Sequence, residues 1–330
     1  MNKKFLGVVL ASVFYTAAAN AAWTPEKQIE FITTAGVGGG TDVHARMVQS
    51  IISKYKFVNV PIVILNKGGG SGAEGYSYGA NLSNPSDPYR VTFGINNQYL
   101  LPLVAKVGYE PEDHSPVAIM AMDEFILWVS GDSPYKNAKE LIEAAKTPTG
   151  LKMGATQSKG IDHTLTSMIS AATGAKFTYV PFKSANEAAA QLAGNHIHAN
   201  VNNPSENLGQ FKAGLVRALC VFSPKRMDEG PKVTESQSWS DIPLCEEEGV
   251  PVQPFQLPRT VWLSGKVSED VIKFYSDLMR KVSETPEWKE YLRNTSQTDQ
   301  FLVGDEMRAL IKVDTERSYE VFKREGWAVR

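Results

Sequence analysis

Two glycine-rich loops, each set between an apolar run and an amphipathic stretch, constrain this chain more than any other feature. The first is Gly36-Val37-Gly38-Gly39-Gly40-Thr41-Asp42. It follows a strand-like Ile29 to Thr34 and precedes Val43 to Tyr55, where Val43, Met47, Val48, Ile51, Ile52 and Tyr55 recur at helical spacing. The second is Asn66-Lys67-Gly68-Gly69-Gly70-Ser71-Gly72-Ala73-Glu74-Gly75, between a strand-like Pro61 to Leu65 and a helical stretch near residues 73–82. Val91 to Ile95 reads as a third strand. Strands that alternate with helices in this order predict an α/β fold, with a mostly parallel sheet covered by helices on both faces.

The pattern then restarts. Lys136 to Lys146 reads as a helix, Leu151 to Gly154 as a strand, and Ile161 to Ala172 as a helix closed by Gly174. Phe177 to Val180, Ile197 to Asn200 and Leu215 to Phe222 read as strands, with a helix from Ala185 to Ala193 stopped by Gly194. Asp241 to Pro258 is rich in proline and acid and reads as a connection between lobes. From Ser268 the chain is helical, with a last helix within Gly304 to Arg324. The expected organisation is a leader over 1–21, one lobe from 22–124 plus 251–330, a second lobe from 125–250, and a ligand cleft between them.

The leader is read from Met1-Asn2-Lys3-Lys4, a short apolar stretch and Ala19-Asn20-Ala21, the three parts of a cleaved secretory signal. Its loss removes two lysines and moves the formal charge from −2 to −4. A periplasmic location follows for a bacterial chain, where no ATP or NAD is supplied. The near-neutral balance argues against nucleic acid, which needs a basic stripe to neutralise phosphates. In an oxidising compartment Cys220 and Cys245 read equally as a disulfide or as two small buried side chains.

Glycine lets a backbone approach a ligand closely, and a helix N-terminus behind it offers N–H groups to an anion. Both loops therefore read as walls of one anion site. A phosphate loop of the Gly-Lys-Ser/Thr type is excluded, because no such sequence follows Gly40. Gly70, Gly72 and Gly75 match a dinucleotide fingerprint, which the absence of that cofactor outside the cytoplasm argues against. No cofactor is expected. Gly154-Ala155-Thr156-Gln157-Ser158-Lys159-Gly160 offers hydroxyls and amides from the second lobe. Asp162 and His163 read as solvated neighbours rather than a catalytic pair, since adjacent helical residues do not face each other. His196 and His198 fall on one strand face without further ligands, so no metal site is assigned.

Together these loops resemble the periplasmic receptors of tripartite tricarboxylate transporters, the Bug family. The resemblance rests on Gly38-Gly39-Gly40-Thr41-Asp42 with Ala45-Arg46, Asn66-Lys67-Gly68-Gly69-Gly70-Ser71-Gly72, Asp132-Ser133-Pro134-Tyr135-Lys136 and Pro181-Phe182-Lys183. It continues through Ala218-Leu219-Cys220-Val221, Ser223 to Arg226, Ile242-Pro243 and Glu248-Gly249. Val37 departs from the proline usual before the first glycine cluster. The resemblance implies a two-lobed, type II-like venus-flytrap periplasmic binding protein. It places one carboxylate on Gly38, Gly39, Gly40, Thr41, Asp42, Gly68, Gly69, Gly70, Ser71 and Gly72. Carried over by position, Thr156, Ser158, Lys183 and Asn203 meet the other end. Arg259 and Lys183 would serve further carboxylates, although Arg259 reads equally as a surface ion pair.

The function that follows is a non-enzymatic, monomeric receptor that delivers a di- or tricarboxylate to inner-membrane permease subunits. An aromatic carboxylate is the alternative ligand, with Tyr99, Phe125 and Trp262 as a flat pocket. A sensor docking on a membrane kinase shares the same cleft. A hydrolase would need a nucleophile–base pair or a metal, and the sequence offers neither convincingly.

Overall fold

A computed structural model describes residues 23–329, so the leader expected over residues 1–21 lies outside the described residues. The chain runs β1 (Ile29–Thr33), α1 (Gly40–Tyr55), β2 (Ile62–Asn66), α2 (Ala73–Ala80), β3 (Arg90–Gly94), α3 (Asn97–Val104) and β4 (His114–Glu124). The second set comprises β5 (Ile126–Ser130), α4 (Ala138–Ala145), β6 (Leu151–Thr156), α5 (Ile161–Thr173) and β7 (Phe177–Phe182). It ends with α6 (Ala185–Ala193), β8 (Ala199–Asn202), α7 (Pro204–Lys212) and β9 (Val216–Val221). The chain then returns through β10 (Gln256–Ser264), α8 (Glu269–Ser283), α9 (Pro286–Thr295), β11 (Gln297–Thr298) and α10 (Gly304–Arg324).

Two sheets result, ordered β11-β4-β10-β3-β1-β2 and β7-β6-β8-β5-β9. Each keeps a parallel trio, β3-β1-β2 in the first and β7-β6-β8 in the second. The sheets are nevertheless mixed. β10 runs against both β3 and β4, and β5 runs against both β8 and β9. The reason lies in the crossings at Glu124–Phe125 and just before Gln256. A strand arriving from the other lobe enters its sheet from the cleft side, so it runs opposite to strands that end there.

Separate apolar cores fill the lobes. Phe31, Val48, Phe93, Met120, Tyr275 and Trp288 pack around the first sheet. Leu127, Val129, Met153, Leu165 and Cys220 pack around the second. Cys220 and Cys245 are joined in a disulfide within this second core, which resolves the alternatives the sequence leaves open. Gly174 closes α5 in the left-handed conformation that favours glycine, as expected.

The structure adds two helices that hydrophobic periodicity does not announce. α3 is short and carries Pro102 inside, and α7 buries only Pro204, Asn207 and Phe211. The strand expected at residues 197–200 is displaced to Ala199–Asn202. His198 then precedes it, and its Nδ1 accepts the Lys152 N–H at 2.9 Å. The two histidines therefore do not share a strand face.

Candidate functional site

The βα loops at the carboxyl ends of the two parallel trios meet where Ser71 bonds Gln157, and the space between them is the candidate cleft. In lobe 1, α1 starts at Gly40 with Gly39 as a cap that has no side chain. The Gly40, Thr41 and Asp42 N–H groups have no backbone acceptor among the described residues, as the first turn of a helix requires. The Asp42 carboxylate is engaged by its neighbours. Its carboxylate accepts Gly38 N–H at 2.8 Å, Arg46 Nε at 3.0 Å and Asn66 Nδ2 at 2.8 Å. Burial works to raise its pKa, and the Arg46, Gly38 and Asn66 bonds outweigh it and hold the carboxyl below its ordinary value. Asp42 braces the loop.

The second loop packs on the first. A Cβ at Gly68 would lie 2.7 Å from Gly36 N, so only glycine permits that approach. Gly69 N–H goes to Glu74 at 3.3 Å, and Gly70 and Gly72 hold positive φ values of 60° and 93°. Ser71 reaches across the cleft and donates to Gln157 Oε1 at 2.7 Å.

Arg259 arrives from β10, outside the βα pattern. Its guanidinium lies against Gly40, where a Cβ would sit 2.9 Å from Nη2. It pairs with Asp123, and both side chains are largely buried, at 12% and 5% exposure. Burial alone would weaken the cation, but Asp123 outweighs it and keeps the guanidinium charged. Of the two readings open for Arg259, the ion pair exists, yet it is buried at the cleft and not on the surface. Among the described residues Arg259 Nε has no hydrogen-bond partner. Behind it His44 packs edge-on to Trp288 with ring centroids 5.1 Å apart. Burial, with Arg259 nearby, drives its pKa to about 3, so it stays neutral. Guanidinium and helix N-terminus thus converge at Gly40, an arrangement suited to a carboxylate.

Lobe 2 is built differently. Asp162 accepts the Thr156 N–H at 2.9 Å and the Thr156 hydroxyl, and burial pushes its carboxyl up to about 6. Asp162 is therefore buried, contrary to expectation, while His163 is half-buried. His163 stacks on Tyr179 with centroids 3.9 Å apart, and its Nδ1 accepts Lys159 N–H at 3.0 Å. Asn203 caps α7 in a capping box with Glu206, while its Nδ2 donates to the Glu124 carbonyl at 2.7 Å. Glu206 accepts Asn203 N–H at 2.9 Å. Burial above all, then Asp162 and Asp123, push Glu206 up to about 8 against the pull of Arg259. Lys183 is exposed at the end of β7, and its backbone N–H goes to Glu187. Ser158 and Lys159 are exposed at the lip.

The structure therefore groups Gly38 to Thr41, Gly68 to Gly72 and Arg259 on one wall, and Thr156, Ser158 and Asn203 on the other. Thr156 spends its side chain on its own loop, and Asn203 divides its side chain between the α7 cap and the Glu124 carbonyl. Tyr99, Phe125 and Trp262 are core residues rather than a flat pocket, at 3%, 1% and 3% exposure. Asp123, Glu206 and the apolar residues of α3 escaped the sequence reading. The run Asn203-Pro204-Ser205-Glu206 was the available signal for Glu206, a capping box with proline at the first helical position. Among the described residues no three His, Cys, Asp or Glu side chains are grouped to hold a metal.

With this geometry in place, the comparisons define the class. The family model for the tripartite tricarboxylate transporter family receptor matches residues 44–326, and the chain belongs to that family. It is 26% identical over 233 residues to the protein BugT of Bordetella pertussis, covering 69% of this chain and 70% of that one. A UPF0065 protein of Agrobacterium vitis is 23% identical over 291 residues, with 87% and 80% covered. The fold matches an R. palustris protein solved with adipate, with a TM-score of 0.78 at 24% identity over 92% of this chain and 98% of that one. It also matches MatC of Rhodopseudomonas palustris with bound malate, with a TM-score of 0.72 at 18% identity over 90% and 99%.

Proposed function

We propose that the chain is a periplasmic receptor that binds a small carboxylate between its lobes, without converting it, and delivers it to a membrane permease. The observation that carries this reading is the Arg259 guanidinium laid against Gly40 at the N-terminus of α1. Both positive features face a loop stripped of side chains, where a carboxylate oxygen can reach backbone N–H groups. The adipate and malate of the two structural neighbours belong to the same chemical class. Export supplies the compartment in which such a receptor meets its solute, and the leader read at residues 1–21 supports it.

Thermal unfolding of the mature protein with malate, adipate, citrate, benzoate and simple amino acids tests the reading. A ligand held only by the folded state stabilises it by about 2.7 kcal/mol at a hundred times its Kd. An upshift with at least one carboxylate is expected. No upshift with any of them would overturn the proposal.

A further inference from the structure

Beside the cleft lies a cavity of about 340 Å³, bounded by α3 from lobe 1 and by the loop into α5 from lobe 2. That size falls within the range of small-molecule sites, roughly 300–1,000 Å³. Its lining mixes two chemistries: Gly70, Ser71 and Asn97 with Gln157, Ser158 and Lys159 are polar, while Leu100, Leu101, Val104, Phe255 and Phe322 are apolar.

We propose that the ligand is a monocarboxylate with an apolar body, its carboxylate on the lobe 1 loops and its body in this cavity. This rests on the reading of those loops as the carboxylate holder. Three observations lead to it. The cavity is lined by Gly70 and Ser71 of the second glycine loop as well as by Leu101 and Val104, so a head group held on that loop can place its remainder against those two side chains. Those two side chains are only half-buried, although they lie on an apolar helix facing another lobe. An apolar body would complete their burial. The second lobe, finally, meets the cleft with Asp162 and Glu206, and Arg259 is already shared with Asp123. A second carboxylate finds no cation buried in that wall. Lys159 lines the cavity, is exposed and has no ion-pair partner among the described residues, so its charge is free to balance a single head group.

The test is calorimetric titration of the mature protein with acetate, butyrate, hexanoate, octanoate and phenylacetate, beside succinate and citrate. Each methylene that enters the cavity should tighten binding roughly fourfold, until the cavity is filled. Leu101→Asp should abolish that gain along the series, and Leu101→Asn should reduce it, which guards against a folding defect in the charged variant. If succinate or citrate binds while the monocarboxylate series stays flat, the cavity proposal falls and the receptor reading stands. If no acid of either kind binds, the receptor reading falls and takes the cavity proposal with it.

Discussion

The two walls of the cleft use the same local device and reach opposite electrostatic results. At α1, α5 and α7 an acidic side chain in the first turn accepts a backbone N–H from the loop before it: Asp42 from Gly38, Asp162 from Thr156, Glu206 from Asn203. In lobe 1 that acid is matched by Arg46, and Arg259 adds a further cation from β10. In lobe 2 neither Asp162 nor Glu206 has an ion pair, and both carboxyls are pushed upward. The capping chemistry is therefore neutral as to function. What distinguishes the walls is whether a cation accompanies the acid, and this is why the proposed function assigns the carboxylate to lobe 1 and the remainder of the ligand to lobe 2.

The largest effect that could break this comparison comes from Arg259. Arg259→Ala leaves Asp123 buried and unpaired and should cost about 3–5 kcal/mol of stability by chemical denaturation, together with carboxylate binding. The double variant Arg259→Gln with Asp123→Asn should recover stability but not binding, which separates the two roles. Next in size is the disulfide confined to lobe 2. Cys220→Ser with Cys245→Ser should cost about 3–4 kcal/mol by chain entropy. If lobe 1 holds the carboxylate as proposed, calorimetric affinity below the new melting range should change little.

Smaller effects sharpen the picture. Gly40→Ala forces a methyl to within 2.9 Å of a guanidinium that Asp123 holds in place. Binding should weaken about tenfold, or about 1.4 kcal/mol, with little change in melting temperature. The smallest is a pH effect. Glu206 keeps its proton until pH passes about 8, and its neighbours there are Asp162, Asp123 and Arg259. A carboxyl raised in the folded state lends stability at low pH that is lost as pH climbs through the folded value. Ionisation also adds negative charge to the wall facing the ligand. Carboxylate affinity should thus fall a few-fold between pH 7 and 9, and Glu206→Gln should flatten the profile.

Much of the lobe architecture was legible because it is local. The glycine loops, the helix from Val43 and the Gly174 cap each follow from neighbouring residues. The reversed strands β5 and β10 were not, since their direction depends on which lobe the chain has just left. In the site, the lobe 1 loops were visible as glycine-rich turns. The pair Arg259–Asp123 spans 136 residues of sequence and has no local signature. Nor could spacing show that the Asp42, Thr156 and Asn203 side chains are taken up by backbone and side chains around their loops, because that depends on where the backbone turns and which segment it meets.

Whether lobe 1 holds the carboxylate is decided by a crystal structure of the complex with whichever acid gives the largest thermal upshift. A carboxylate oxygen within hydrogen-bond distance of an N–H at Gly40 to Asp42 or at Gly70 and Ser71 is expected. A bound acid whose carboxylate meets only lobe 2, at Thr156, Ser158 or Lys183, would contradict it.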